Sequence, residues 1–464
     1  MKNGLLIFVT FCFFVIAEAQ SVSARLSKSF QQFESDLQLR NGISSLYVLD
    51  GVTGEVIFEK NASVGLMPAS TQKIITSATA YELLGKDYRY ITDISFSGNK
   101  ASGKLKIKAS GDPALGSWRW PFTKESVIVD QIVKSVGRQS IQNIEEIVVD
   151  VSGWEIETIP DGWIVQDIGN YYGAGSEALN WRENQFDLVL RSGTNVGDSV
   201  QIIESNPKLI GYNLESYVST APKGSGDNAY IYFPLQSGPG MVRGTIPVGE
   251  NRFVISGAFP SAGKQFTGTL KEELKKSGKA NNAAVVFMNK ELSQYAGKSN
   301  EVLIWTHVSP TLDSLIYWLN KKSINLYAET LLKTISLQKN GLASRTESIE
   351  LLKKFWQQKG IPVTELNIVD GSGLSPLNRV TSKAQVIVLQ YAQKQPWFNG
   401  FYNSLPEYND MRMKSGTMSG VKGFTGYHKS KDGRTYIFSF LVNNFNGPSS
   451  SLVQKMYKVL NELK

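Results

Sequence analysis

Serine and lysine side chains occur at a short, defined spacing in Ser70-Thr-Gln-Lys73, where a hydroxyl and an amine are three positions apart. Residues i and i+3 project from the same face of a helix, so the amine can reach the hydroxyl. A serine becomes a good nucleophile when a base accepts its proton. A lysine can be that base if burial or a neighbouring cation lowers its pKa. The pattern therefore predicts Ser70 as a nucleophile and Lys73 as its base.

The spacing alone is weak evidence. It recurs elsewhere, for example at Ser97/Lys100, Ser261/Lys264 and Ser419/Lys422. Ser70 differs from these because Pro68 precedes it and no helix-breaking residue follows before Gly85. Proline is favoured at the start of a helix and glycine just after its end. We therefore predict a helix from Ala69 to Leu84, whose first turn also offers the Ser70 amide to a developing oxyanion.

A second candidate element is Ser323-Ile-Asn325, which precedes a predicted helix from Leu326 to Leu337. Serine and asparagine before a helix are ordinary capping residues, and this is the simplest interpretation. In the chemical interpretation, the Ser323 hydroxyl relays a proton to a leaving amine, while the Asn325 side chain holds Lys73 and the substrate's amide. The sequence leaves both interpretations open.

A third element, Lys414-Ser-Gly-Thr417, is predicted on a strand at the edge of the site. Gly416 allows another segment of backbone to approach closely. The Ser415 and Thr417 hydroxyls and the Lys414 charge are suited to binding a terminal carboxylate. The same charge near Lys73 favours a neutral base, and the Thr417 amide can complete an oxyanion hole.

Other catalytic devices have little support in the sequence. The only histidines are His307 and His428, and neither accompanies a Gly-x-Ser-x-Gly nucleophile signal. Both are interpreted as packing or surface residues. Two distant histidines with no cysteine after Cys12 make a zinc site unexpected, although an all-carboxylate site stays open. We expect no metal and no cofactor.

The two ends of the chain share one pattern, and the middle differs. Near the start of the chain, a hairpin is predicted from Ile43 to Asp50 and Glu55 to Lys60. Near its end, a strand is predicted from Thr435 to Val442 and a helix from Ser450 to Leu463. Between them lies a long region in which β-prone runs alternate with Gly/Pro turns. We predict an α/β catalytic domain built from residues 20–88 and 300–464, with an inserted β-rich region, 89–299, of two small domains.

The first nineteen residues have the layout of a secretory signal peptide: Met1-Lys2-Asn3, an apolar run from Leu5 to Ile16, then Ala17-Glu18-Ala19. The sequence therefore predicts an exported protein, and the single cysteine, Cys12, lies inside the leader. The formal net charge is +8. This charge fits attraction to an anionic wall or to lipid headgroups, hence a peripheral membrane contact, and equally an ordinary basic surface. No nucleic-acid partner is expected.

Taken together and in this order, Ser-x-x-Lys, Ser-x-Asn and Lys-Ser-Gly-Thr resemble the active-site signature of the serine penicillin-recognising enzymes. The long gap between Lys73 and Ser323 is similar to that of the class C low-molecular-mass penicillin-binding proteins, the D-alanyl-D-alanine carboxypeptidase/endopeptidase family. Further segments match: Ser110-Gly-Asp-Pro113, Pro160-Asp-Gly-Trp163, Asn325-Leu-Tyr-Ala-Glu329 and Asp370-Gly-Ser-Gly-Leu-Ser375. The resemblance covers nearly the whole chain after the leader.

This resemblance implies a β-lactamase/transpeptidase-like fold of mixed α/β (α+β) class, with a five-stranded antiparallel sheet covered by helices, plus inserted β-rich domains. It implies a periplasmic serine D,D-peptidase that acts on peptidoglycan peptides and is acylated by β-lactam antibiotics. By residue-to-residue match the catalytic residues are Ser70, Lys73, Ser323, Asn325 and Lys414, and the substrate-binding residues are Ser415, Gly416 and Thr417. Serine rather than threonine at position 415 departs from the commonest pattern but keeps the hydroxyl.

Two alternatives remain open at this stage. The same apparatus serves a β-lactamase or an esterase, because the deciding feature is how fast water reaches the acyl-enzyme. A catalytically silent peptidoglycan-binding protein is the alternative from another class, and the intact motifs argue against it. The Asp370 loop is interpreted as a turn at the rim of the cleft.

Overall fold

The computed structural model describes residues 21–234, 238–293 and 301–464. The predicted leader, residues 1–19, lies outside these ranges. Within them, no helix combines the length and apolar character needed to cross a bilayer.

The described strands are β1 (Ile43–Asp50), β2 (Val56–Lys60), β3 (Ile91–Gly98), β4 (Gly103–Lys108), β5 (Ile144–Asp150), β6 (Gln185–Arg191), β7 (Gln201–Asn206), β8 (Leu214–Ala221), β9 (Asn228–Tyr232), β10 (Gly240–Pro247), β11 (Phe253–Ala258), β12 (Ala284–Met288), β13 (Glu301–Val308), β14 (Leu366–Asn367), β15 (Arg379–Val380), β16 (Glu407–Tyr408), β17 (Met411–Met418), β18 (Val421–Lys429) and β19 (Thr435–Asn443). The described α-helices are α1 (Val22–Glu34), α2 (Lys73–Leu84), α3 (Glu125–Arg138), α4 (Val165–Ile168), α5 (Ala262–Lys276), α6 (Lys290–Ser293), α7 (Leu312–Lys322), α8 (Asn325–Asn340), α9 (Arg345–Gln358), α10 (Ser382–Ala392), α11 (Phe398–Ser404) and α12 (Ser449–Leu460).

The main sheet is built from both ends of the chain. Its strand order is β16-β17-β18-β19-β1-β2, and all its strand pairs are antiparallel. The predicted hairpin is confirmed as β1 and β2. The predicted fold class is also confirmed, with a sixth strand, the two-residue β16, added at the edge beside β17.

The two faces of this sheet pack against different helices, because strand side chains alternate between faces. Leu46 and Val48 of β1 join a core with α1 and α12, whereas Tyr47 and Leu49 join a core with α2 and α7 to α11. Helix α2 lies inside the second core, and all its residues from Lys73 to Tyr81 are buried. Helix α2 is therefore enclosed by the sheet and its covering helices.

The predicted helix from Ala69 to Leu84 is correct at its end and wrong at its start. Gly85 follows the last turn with φ 85°, a conformation that glycine adopts without strain. Residues Ala69–Gln72 form a 3₁₀ turn instead, and Ala69 itself has φ 45°. The α-helix begins only at Lys73 because the backbone turns sharply at Ala69, which a pattern of residue types does not reveal.

The middle of the chain forms a five-stranded sheet, β12-β5-β4-β3-β13, and two three-stranded sheets, β8-β10-β9 and β11-β6-β7. One buried apolar cluster spans all three sheets together with α3 and α5. The domain limits that we inferred stay a prediction. Because β13 pairs with β3, sheet membership favours a return to the catalytic segment after Val308 rather than at residue 299.

Candidate active site

The 3₁₀ turn before α2 presents Ser70 to Lys73, the first residue of the helix. Lys73 Nζ lies 2.8 Å from Ser70 Oγ. The lysine side chain is fully buried, while Ser70 is partly exposed. This arrangement leaves the hydroxyl accessible to a substrate and keeps the amine behind it, out of bulk water.

Two further acceptors surround the Lys73 amine. Lys73 Nζ donates to Asn325 Oδ1 at 2.6 Å and to the carbonyl of Ser372 at 2.8 Å. A neutral amine has two N–H groups and one lone pair. It can therefore make both of these bonds and still accept the proton of the Ser70 hydroxyl, which is the geometry that a general base requires.

Burial lowers the pKa of Lys73 to about 7, although the carboxylates of Asp370 and Glu329 act in the opposite direction. A charged amine is costly to hold away from water, so desolvation favours the neutral form. A base whose pKa lies close to neutral pH is well matched to proton transfer under ordinary conditions. The site thus supplies an amine that is substantially unprotonated near pH 7.

Ser323 and Asn325 lie between two helices. Ser323 ends α7 in the left-handed conformation, with φ 57°, and Asn325 is the first residue of α8. Neither side chain caps α8, whose N-cap residue is Ile324. The Ser323 hydroxyl instead accepts from Lys414 Nζ at 2.9 Å, and Asn325 Nδ2 donates to the Tyr172 carbonyl at 2.7 Å. The geometry therefore disfavours the capping interpretation.

Lys414 lies on β17 and is almost completely buried. Burial holds its pKa well below the ordinary value, and the charges of Lys73 and Lys422 add to the effect. Its amine also donates to the carbonyl of Ser415 at 2.9 Å. A partly desolvated cation of this kind favours an anionic ligand, because the ligand restores the lost electrostatic stabilisation.

Gly416 brings β17 into contact with the turn that carries the nucleophile. A Cβ atom at this position would lie 2.5 Å from the Pro68 carbonyl oxygen and 3.1 Å from the Ser70 amide nitrogen. Both neighbours are backbone atoms, which cannot rotate aside. The close contact between strand and turn therefore requires glycine.

We expect Gly416→Ala to lower the free energy of unfolding by about 1–3 kcal/mol, as is usual when extra atoms are forced into a packed region. The measurement is denaturant or thermal unfolding of the purified protein. Gly137→Ala is the matched control, because a Cβ there meets nothing within 4 Å and the residue lies inside α3. Equal stability of the two variants would contradict the predicted clash.

Thr417 follows on the same strand and is exposed. Its hydroxyl accepts from Lys422 Nζ at 2.7 Å, and burial lowers the pKa of Lys422. Sequence reasoning missed this second cation, since Lys422 attracted attention only through its spacing from Ser419. The sequence did not reveal that Lys422 on β18 pairs with Thr417 on β17.

A cavity of about 960 Å³ opens at this point. Of the eight residues predicted from the motifs, four are part of its wall: Ser70, Ser323, Asn325 and Thr417. Lys73 and Lys414 lie behind these side chains and contact them. Neither Ser415 nor Gly416 is part of the wall. Residues between positions 89 and 299 also line the cavity, including Arg119, Asp167, Tyr171, Tyr172, Glu183 and Tyr230.

The loop that begins at Asp370 reaches the cavity through Leu374 and Pro376, as expected of a turn at its rim, but Asp370 itself does not. Asp370 is fully buried rather than at the rim, and its carboxylate accepts from the Trp163 indole at 2.9 Å and from the Ser375 amide at 2.6 Å. The side chain of Gln72 donates to its carbonyl and its carboxylate. The loop therefore packs directly beside the turn that carries Ser70.

Neither histidine lines the cavity. His307 is buried on β13 with Nε2 3.4 Å from Asp112 Oδ2, and His428 is buried on β18. In the described part of the chain, no three His, Cys, Asp or Glu residues are grouped so that they could hold a metal ion.

The fold is similar to known structures. The crystal structure of penicillin binding protein 4 (dacB) from Haemophilus influenzae matches with a TM-score of 0.79 at 20% sequence identity, covering 94% of this chain and 99% of that one. A structure of the same protein complexed with a β-lactam matches with a TM-score of 0.74, again at 20% identity with the same coverage. The fold is therefore that of a penicillin-binding protein.

The chain belongs to the D-Ala-D-Ala carboxypeptidase 3 (S13) family, whose model matches residues 24–407 and 408–462. A D-alanyl-D-alanine carboxypeptidase from Actinomadura sp. is 25% identical, over 94% of this chain and 85% of the relative. The D-alanyl-D-alanine carboxypeptidase DacB of Haemophilus influenzae is 23% identical, over 84% and 83%. The resemblance inferred from the three motifs is confirmed at the level of the family.

Proposed function

We propose that this protein is an exported, periplasmic serine D,D-peptidase that cleaves D-alanyl bonds in peptidoglycan stem peptides through an acyl-enzyme on Ser70. The observation that carries the proposal is the 2.8 Å contact between Ser70 Oγ and the buried amine of Lys73. Membership of the D-Ala-D-Ala carboxypeptidase family supports the reaction, and the relatives named above support the substrate.

In the first step, Lys73 accepts the Ser70 hydroxyl proton while Oγ attacks the carbonyl carbon of the penultimate D-alanine. The carbonyl π electrons move onto oxygen, and the backbone amides of Ser70 and Thr417 stabilise the resulting oxyanion. When the carbon–nitrogen bond breaks, the leaving amine takes a proton through the Ser323 hydroxyl. Water then adds to the ester and releases Ser70, with proton transfer back through Lys73.

The substrate's carboxylate is proposed to bind beside β17. Lys414, the Thr417 hydroxyl and Lys422 form a cationic and hydrogen-bonding group next to the cavity. A carboxylate here would stabilise the charged form of both lysines, whose pKa values the free protein holds low. This recognition distinguishes a terminal D-alanine from an internal peptide bond. The Ser415 carbonyl, which accepts from Lys414 Nζ, is proposed to help hold that amine beside the carboxylate.

Labelling with a fluorescent penicillin tests the proposal, because the β-lactam carbonyl acylates the same serine. We expect a covalent fluorescent band with the wild-type protein and none with Ser70→Ala. A catalytically silent peptidoglycan-binding protein would give no band in either case, and that result would overturn the proposal.

A comparison of two substrates separates the peptidase from its nearest alternative. We expect release of D-alanine from a D-alanyl-D-alanine peptide to be much faster than steady-state hydrolysis of a penicillin, because water reaches the penicilloyl ester slowly. The measurement is turnover of both substrates by one enzyme preparation. Rapid penicillin hydrolysis without peptide cleavage would identify a β-lactamase instead.

A further inference from the structure

A buried carboxylate on α8 holds the loop that contacts the base. Glu329 is 1% exposed and lies one helical turn after Asn325. Its two oxygens accept from the Gly371 amide at 3.1 and 3.0 Å, and one of them accepts from the Ser372 amide at 2.8 Å. Glu329 thus binds two consecutive backbone N–H groups and fixes the orientation of the peptide between them.

The same loop is held firmly from its other side. The Gly371 carbonyl accepts from Thr76 Oγ1 on α2 at 2.6 Å, and a Cβ at Gly371 would lie 2.6 Å from the Ala328 carbonyl oxygen. The next carbonyl, that of Ser372, accepts from Lys73 Nζ at 2.8 Å. The carboxylate therefore binds the N–H of Ser372, the same residue whose carbonyl contacts the catalytic amine.

We propose that Glu329 is a positioning residue for the acylation step: it holds the Ser372 carbonyl against Lys73, and its negative charge favours a proton on that amine. Glu329 does not touch the reacting atoms and acts only through the loop and through its charge. The inference rests on the function proposed above.

Several charged groups interact with Glu329. They are one carboxylate, Asp370, and three cations, Lys73, Arg345 and Lys333. Burial and the Asp370 charge raise the pKa of Glu329 to about 7, and the amides of the loop act in the opposite direction. The pKa values of Glu329 and Lys73 therefore both lie near 7, so each of these buried groups is partly charged over the same pH range.

The sign of the expected effect follows from the charges around Lys73. The carboxylates of Glu329 and Asp370 favour its protonated form, and burial disfavours it. Without the Glu329 charge, the pKa of Lys73 falls. Acylation requires the neutral amine, so its rate rises as the pH passes upward through the pKa of Lys73. The acidic limb of the rate profile therefore moves to lower pH.

The test is the rate of acylation by a fluorescent penicillin, measured from about pH 5 to about pH 9, for the wild type and Glu329→Gln. The amide keeps a carbonyl acceptor for the loop but carries no charge. We expect the acidic limb to move to lower pH by less than about one pH unit, because Glu329 itself loses part of its charge over the same pH range. An acidic limb that stays in place would overturn the proposal.

Glu177→Gln is the matched control. Glu177 also accepts two consecutive backbone amides, those of Ala262 and Gly263 at 2.7 and 3.1 Å, and burial likewise raises its pKa. It lies at the start of α5 in the inserted region. We expect this variant to retain the wild-type acidic limb. A shift of the limb equal to that of Glu329→Gln would show that loss of any buried carboxylate suffices, and would also overturn the proposal.

A second variant separates position from charge and serves if Glu329→Gln does not fold. Glu329→Asp keeps the charge but shortens the side chain, so the loop loses its support. We expect its maximal acylation rate to fall about tenfold, the effect of weakening one or two hydrogen bonds, with the acidic limb unmoved. A wild-type maximal rate would count against the positioning role. Absence of labelling in the wild type would instead refute the proposed function.

Discussion

Ser70→Ala is expected to lower turnover of a D-alanyl-D-alanine peptide on the order of a millionfold, the scale seen when an activated nucleophile is removed from a catalytic unit. No other hydroxyl contacts the Lys73 amine among the described hydrogen bonds, so no neighbouring group can replace it. The measurement is D-alanine release with enzyme in large excess over any trace contaminant.

Ser97→Ala is the control for this variant. Ser97 has the same spacing to Lys100 that Ser70 has to Lys73, but it lies on β3 in the inserted region. We expect wild-type turnover. Substantial residual activity in Ser70→Ala, at a level that scales with the concentration of the variant, would show that another group is the nucleophile.

Lys73→Met is expected to reduce the rate of acylation by about a thousandfold, within the range that a positioned general base contributes. Methionine fills a similar volume and cannot accept a proton. The Ser70 hydroxyl would then have to lose its proton to water, and Asn325 and the Ser372 carbonyl would lose their common donor. The measurement is a time course of labelling by a fluorescent penicillin at saturating concentration.

The stability of the same variant should change little. Replacing the buried lysine with methionine removes the cost of desolvating an amine, and it also leaves the Asn325 and Ser372 acceptors without their donor, which acts in the opposite direction. We therefore expect Lys73→Met to unfold at a temperature close to that of the wild type. Lys100→Met, at the exposed counterpart of the same motif spacing, should leave the acylation rate unchanged. A large loss of stability in Lys73→Met would show that the variant is inactive because it unfolds rather than because it lacks a base.

The parts of the site that were predictable from the sequence depend on local spacing. Ser70 and Lys73 lie within one turn, so residue type and helix geometry suffice to bring them together. Ser323 and Asn325 are also close in sequence, at the junction of α7 and α8, so a short motif suffices to bring them together. The order of the three motifs then predicted that distant segments meet, and in the structure Asn325 contacts Lys73 while Ser323 contacts Lys414.

The parts that were not predictable depend on contacts between distant segments that carry no pattern. Trp163 donates to Asp370 across 207 positions, and Glu329 binds a loop 42 positions later. Tryptophan, glutamate and glycine are common in many roles, so their types alone do not indicate that they enclose a catalytic amine. Ala69 was misassigned for a related reason: its left-handed conformation is imposed by packing of the turn against Gly373 and β17.

The position of β1 between β19 and β2 has a consequence for how the protein matures. β1 is the first of the described strands to be made, yet one of its two neighbours is the last of them, β19. Contacts of such wide sequence separation form slowly, and an unpaired strand is exposed to pairing with other chains. The central sheet therefore cannot close until the chain has been made through β19. A chain interrupted before β19 would carry Ser70 and Lys73 without the sheet that holds them in place.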